Sequence, residues 1–282
     1  MNRTRLGNLI LFTCLALCIL FIQSSESVSA EAISLVVREP DIARQEENTP
    51  PTRSWVLYTR NEGDAMFRVG PNSPPLGSGS LEFLTPTSSD KVTLFNFDHL
   101  QTSLSSITAL GYSTYRTAGE LQQVAALNLQ VDVNGSEPGG FTTLVFEPVY
   151  NTGQGSVISG QWQTWDAYDG GNAVWWSSNP IPSAPNRDTF VTWSTIVTAN
   201  PNAVIIGGYG VNQGSGNPAL TTATDALIIG YGGDTITYNF EPLQEATDKD
   251  ACKAGGWKYF QRADQSLFKN QGDCVSYVNT GN

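Results

Sequence analysis

Histidine is almost missing from this chain of 282 residues: His99 is the single example, and methionine (2) and cysteine (4) are scarce. A histidine-based metal centre therefore has too few ligands, and a Ser-His-Asp triad would have to be built on His99 alone. No Gly-x-Ser-x-Gly elbow is present to supply its nucleophile. Histidines that close a strand are ordinarily surface or turn residues, so His99 is expected at the surface with no role. Lys and Arg are also few, 15 against 26 Asp and Glu, and no basic run follows Arg5. Nucleic acid and anionic lipid are gripped through clustered Lys and Arg, so neither is expected as a partner. Helical patterns between strands are missing too, which argues against a parallel α/β fold.

What is present begins with an export signal. Arg3 and Arg5 precede an apolar run from Leu9 to Ile22, and Val28-Ser29-Ala30 supplies a small-residue cleavage site. The apolar run is too short for a comfortable membrane span, which takes about 20 residues. The reading is a signal peptide over 1–30, secretion or display at the cell surface, and no stable membrane span after cleavage. Removing 1–30 takes away Arg3, Arg5 and Glu26 and leaves a net charge of −12. Cys14 and Cys18 leave with the leader. Cys252 and Cys274 remain, an even pair in an oxidising compartment, and a disulfide between them is expected. On the chain-entropy account a loop of about 20 residues would contribute about 3 kcal/mol.

Residues 31–52 carry charge and proline and read as a linker, although Ile33 to Val37 has the makings of an edge strand. From residue 53 to 242 short β patterns alternate with Gly, Pro, Asn and Asp. Leu94 and Asn96 point one way and Phe95 and Phe97 the other; Ala125, Leu127, Leu129, Val131 and Val133 share a face. Gln161 to Tyr168 and Ala173 to Ser177 read as a hairpin joined by Asp169-Gly170-Gly171-Asn172. Phe190, Trp193, Ile196 and Val197 recur at helical spacing, with Asp188 as the cap and Asn200-Pro201 as the stop. About ten short strands with one short helix predict an all-β fold, an antiparallel jelly-roll β-sandwich. Residues 243–282 hold a small apolar cluster, Trp257, Phe260, Leu267, Phe268, Val275 and Tyr277, and read as an appendage tied by the disulfide.

Two stretches carry a resemblance. Val191 to Ile205 and Val211 to Gly216, with Asp225-Ala226-Leu227-Ile228-Ile229 and Thr237 to Pro242, resemble a group of exported bacterial β-sandwich proteins. The tail Cys252-Lys253-Ala254-Gly255-Gly256-Trp257, with Phe268-Lys269-Asn270-Gln271-Gly272-Asp273-Cys274-Val275, resembles their terminal motif. The resemblance covers most of the chain after the leader and implies fold and compartment, but no activity. The Asp-x-Leu-x-Ile strand is also similar to the closing strand of jelly-roll carbohydrate-binding and concanavalin-like modules. Modules of that kind often hold a structural calcium; Asp225 and Asp132 are the carboxylates that would serve, although no Asp-x-Asp-x-Asp-Gly loop is present. No other cofactor is expected.

Glycosidases need two carboxyl groups facing one sugar. No run here places them on one strand face: Asp132 stands alone, Glu147 precedes Pro148, and Asp166 and Asp169 flank a turn. The aromatic cluster is the sharper signal. Trp162 and Trp165 have opposite parity, as do Trp175 and Trp176, so one of each pair is expected in the core and the other outside. Aromatic rings stack on the apolar faces of sugars while polar side chains take the hydroxyls. The expected ligand-binding set is therefore drawn from Trp162, Trp165, Trp175 and Trp176, with Tyr150, Asp166 and Asn172 beside the outward members. The expected partner is a polysaccharide or cell-surface glycan, bound without catalysis. The alternatives are a structural or adhesion protein with no small ligand, in which every Trp is core, and a polysaccharide hydrolase.

Overall fold

The computed structural model describes residues 31–119, 122–135 and 139–281. The expected leader, 1–30, lies outside the described residues. In chain order the first nine strands are β1 (Glu31–Val37), β2 (Ile42–Glu46), β3 (Trp55–Arg60), β4 (Asp64–Val69), β5 (Gly79–Thr85), β6 (Lys91–Asn96), β7 (Ile107–Ala118), β8 (Ala126–Asp132) and β9 (Phe141–Phe146). They are followed by β10 (Trp162–Asp166), β11 (Val174–Ser177), β12 (Val191–Thr192), β13 (Val204–Gln213), β14 (Leu220–Tyr231), β15 (Asp234–Phe240), β16 (Gln244–Glu245) and β17 (Phe260–Gln261). The α-helices are α1 (Trp193–Ala199) and α2 (Gln271–Thr280), and no described helix is long and apolar enough to cross a membrane.

The strands form the expected jelly-roll sandwich. One sheet has eight strands in the order β12-β11-β9-β8-β13-β6-β3-β2; the other holds seven, with β14 at its centre. Alternation decides the packing. Leu57, Leu94, Leu129 and Phe146 point inward from the first sheet and meet Phe83, Tyr112, Ile229 and Phe240 from the second. At roughly 25 cal/mol per Å² of apolar surface removed from water, this single core supplies most of the drive to fold.

Residues 31–52, expected as a linker, instead complete both sheets. β1 runs parallel to β15 and β2 parallel to β3, each at a sheet edge. Val37 and Ile42 are buried, and between them the chain turns from one sheet to the other, fastened by Arg38 N–H donating to Asp41 Oδ2 at 2.9 Å. Helix α1 lies where its spacing predicts, but its cap is Thr192, whose Oγ1 accepts from Thr195 N–H at 3.3 Å; Asp188 stays in the preceding loop. The tail adds a second helix. Asn270 caps α2 by accepting from Asp273 N–H at 3.0 Å, and Gly281 in the left-handed region ends it. Cys252 and Cys274 are bonded and buried beside Phe268 and Tyr277.

Strand β14 changes partner halfway along. Its first half pairs with β5, its second with β15, while β7 follows its other edge. Asp225 sits at the junction, fully buried, and its carboxylate fills the gap: it accepts from Phe240 N–H at 3.0 Å and Leu76 N–H at 2.8 Å. Burial outweighs these bonds and pushes its pKa up to about 6.

His99 is buried, contrary to its expected place at the surface. Nδ1 lies 3.0 Å from the Tyr231 hydroxyl and Nε2 3.0 Å from that of Tyr238, and the ring also packs edge-on against Tyr209. Loss of solvent lowers its pKa to about 4 against the opposing pull of Asp98, so the imidazole is neutral in the fold. An unfolded chain binds a proton at His99 below pH 6.5 that the native state refuses until about pH 4. Its contribution is therefore intact above pH 6.5 and is lost as pH falls through that window, by about 3 kcal/mol in all. Asp225 has the opposite sign, because protonating its buried carboxyl relieves a cost as pH falls from about 6 towards 3.8. The two offsets oppose each other in the native chain. Removing one exposes the other: between pH 7 and 4, urea denaturation should show wild type losing about 3 kcal/mol relative to His99→Gln. A difference independent of pH would mean that His99 titrates normally in the fold.

Candidate functional site

The site is set up by the crossing between β10 and β11. The expected hairpin does not form: β10 pairs with β7 in one sheet, and β11 with β9 and β12 in the other. Asp166 bends the chain, its Oδ1 accepting from Tyr168 N–H at 2.9 Å and Asp169 N–H at 3.3 Å. Gln154 clamps the same residue from outside, donating to Asp166 O and accepting from Asp166 N–H. Gly171 then takes φ +58° where a Cβ would press on Gly153, 2.8 Å away, so glycine is required.

The expected ligand-binding residues are consequently scattered. Trp165 and Trp175 enter the core from opposite sheets; the Trp165 indole N–H donates to Thr114 Oγ1 and that of Trp175 to Ala167 O, both at 2.8 Å. Trp162 and Trp176 are the outward members, as parity predicts, but they face away from each other on the two outer surfaces. Trp162 lies on the seven-stranded sheet against Tyr115 and donates to Pro71 O. Tyr150 is 52% exposed and stacks on Phe190 at 4.7 Å. Asp166 is spent on the crossing. Asn172 lines a cleft of about 430 Å³ at one end of the sandwich, with Tyr168 and Trp193. Of the seven, Trp176 alone faces the groove described next.

That groove crosses the outer face of the eight-stranded sheet. The register aligns Trp176 with Val145, Val145 with Asn128, Asn128 with Gly210 and Gly210 with Phe95, one row across five strands. At about 4.8 Å per strand the row is about 19 Å long. Each member is the outward neighbour of a core residue: Trp175, Leu144, Leu127, Tyr209 and Leu94 are the inward ones. Gly210 and Gly208 keep the floor low, since a Cβ on Gly208 would strike the Phe95 ring and one on Gly210 the Leu94 carbonyl.

The Trp176 end is a polar cleft of about 290 Å³. The Trp176 indole N–H donates to Glu147 Oε2 at 2.7 Å, and the Arg187 guanidinium lies 4.5 Å from the ring centroid. Burial raises the Glu147 pKa, opposed by the indole and by Arg187. Asn128 is 8% exposed, and its Oδ1 is buried without a hydrogen-bond partner. Such an orphan acceptor costs about 1–3 kcal/mol. Arg60 and Lys91 border the same cleft and share the carboxylate of Glu47. Beyond Lys91 and Thr143 a second cleft of about 630 Å³ continues the groove under Tyr58, Phe95, Phe97 and Phe141. Glu147, Asn128 and Arg187 give no signal in the sequence, because a polar residue outward on a strand (Asn128), just past one (Glu147) or in a loop (Arg187) looks like any solvated face.

A structural calcium does not fit the two carboxylates named for it. Asp225 lies in β14 with both oxygens on backbone N–H groups, and Asp132 lies in the other sheet, bonded to Asn134 N–H. Among the described residues no group of three or more His, Cys, Asp or Glu gathers to hold a metal.

No protein-family model matches the chain, and no curated protein matches it. Among solved structures it is similar to the family 11 carbohydrate-binding module of the cellulosomal cellulase Lic26A-Cel5E of Clostridium thermocellum. The identity is 8%, covering 68% of this chain and 91% of that one, with a TM-score of 0.34.

The two adjacent indoles of β11 should separate cleanly in stability. Trp175→Ala is expected to cost about 3–5 kcal/mol by loss of core packing. Trp176→Ala is expected to cost only about 1 kcal/mol, for the lost bond to Glu147. Thermal or urea unfolding of the two variants checks this, and equal costs would place Trp176 in the core.

Proposed function

We propose that this chain is an exported, non-catalytic β-sandwich that binds a polysaccharide or cell-surface glycan along the outer groove of its eight-stranded sheet. The observation that carries the reading is the row from Trp176 to Phe95. It holds a half-buried indole with the Arg187 guanidinium over its ring, the amide of Asn128 and a glycine floor. A sugar ring presents apolar C–H groups to an indole and hydroxyls to amides and carboxylates, and the groove carries both kinds of partner, with Asn128 two strands from Trp176. The length of the row suits an oligosaccharide lying across the strands more than a single ring.

Both carboxylates near the cleft are engaged in holding it together, which supports binding over hydrolysis. Glu147 orients Trp176, and Glu47 joins Lys91 to Arg60. Export rests on the Arg3, Arg5 and Leu9–Ile22 pattern of the leader.

The test is a glycan array probed with residues 31–282, followed by titration of whatever binds. Wild type should bind at least one polysaccharide, and Trp176→Ala should weaken it about tenfold or more, the usual cost of losing a central aromatic anchor. Trp162→Ala, on the opposite sheet, should leave the affinity unchanged. Silence across the array would favour a structural or adhesive protein with no small ligand.

A further inference from the structure

The charge around the groove narrows the class of glycan. Residues 31–282 carry a net −12, yet the Trp176 cleft is lined by three cations, Arg60, Lys91 and Arg187, and by one carboxylate, Glu147. Glu47 stands beside it and serves two of the cations at once, so that group keeps a positive excess. Arg187 makes no ion pair among the described residues; it lies over the Trp176 ring near Glu147, whose burial disfavours ionisation. A guanidinium held over an indole with no carboxylate partner can still take one through its N–H groups. Clustering of the cations in one cleft strengthens such an attraction, while the surrounding negative surface repels anions elsewhere.

Hydroxyl-binding groups surround these cations. Asn128, Asn212, Asn217 and Ser178 line the cleft with amide and hydroxyl groups. Asn212 Oδ1 already accepts from Thr93 Oγ1 at 2.7 Å, which fixes the direction of its amide. The cleft therefore offers polyol recognition and local positive charge together, next to an aromatic face. A neutral glycan would leave the cationic excess unused, and a simple anion would leave the indole and Asn128 unused.

We propose that the groove binds an acidic polysaccharide, one whose sugar rings carry carboxylates, with a uronate held between Arg187 and the Lys91–Arg60 pair while a ring stacks on Trp176. This rests on the glycan-binding reading above.

The probe is polygalacturonate, compared with the same polymer after its carboxyls are reduced to primary alcohols, in titrations against residues 31–282. Wild type should bind the native polymer at least about tenfold more tightly than the reduced one. Raising NaCl from about 0.05 M to about 0.5 M should weaken the native polymer's binding severalfold and leave any binding of the reduced polymer unchanged. Arg187→Gln, on an exposed loop, should erase most of the preference while circular dichroism and melting stay as in wild type. Equal affinity for the two polymers, or a preference for the reduced one, would overturn the acidic assignment and leave glycan binding standing. If both polymers fail but a neutral glucan or xylan binds with Trp176 dependence, the acidic assignment falls alone. If no polysaccharide binds, both readings fall together.

Discussion

Burial of Trp175 organises the outer face of the eight-stranded sheet. Its indole fills the core and spends its N–H on the carbonyl of Ala167, a residue of the crossing that brings the chain from the seven-stranded sheet to the eight-stranded one. In a strand, fixing one side chain inward fixes its neighbours outward. Trp176 is therefore turned to the outer surface, where Glu147 and Arg187 meet it. The same logic repeats across β9, β8, β13 and β6, so the groove is the reverse side of a well-packed core. Its geometry is as rigid as the packing beneath it.

Buried polar groups fall into two kinds. Asp225 and His99 are internally satisfied: one closes the break where β14 exchanges β5 for β15, and the other bridges two tyrosine hydroxyls between strands. Asn128 and Asn239 are different, because their side-chain carbonyl oxygens are buried with no partner within the fold. Asn128 lines the cleft where the cations collect, while Asn239 lies in β15 of the other sheet.

Much of the sandwich is legible in the sequence, because alternation is a local property. The opposite facing of Leu94 and Phe95, the shared face of Leu127, Leu129 and Val131, and the division of each Trp pair all follow from counting by two. Which sheet a strand joins is not local. The Asp169–Asn172 segment carries the residues of a hairpin turn, yet Asp166 and Gln154, twelve positions apart, send the chain across the sandwich. Strand β1 shows in the sequence only as the makings of an edge strand over Ile33 to Val37 and β2 not at all, for a related reason: β1 finds its partner about two hundred residues later. Charge and proline in that segment then point to a linker. The expected site fails in the same way, since Trp162 and Trp176 have the right exposure but opposite sheets.

The strict division of labour along these strands has an evolutionary consequence. Thr143, Ser178, Asn212 and Asn217 border the groove without reaching the core, while the residues between them in the strands hold the two sheets together. Substitutions in the first set change what the groove meets and leave folding almost untouched, so that set can drift freely. The second set is bound by volume and cannot. One backbone can thus serve a series of related chains with different ligand preferences, each reached through single outward replacements. Gly208 and Gly210 mark the limit of that freedom, because any side chain there would collide with Phe95 or the neighbouring strand and raise the floor on which every variant depends.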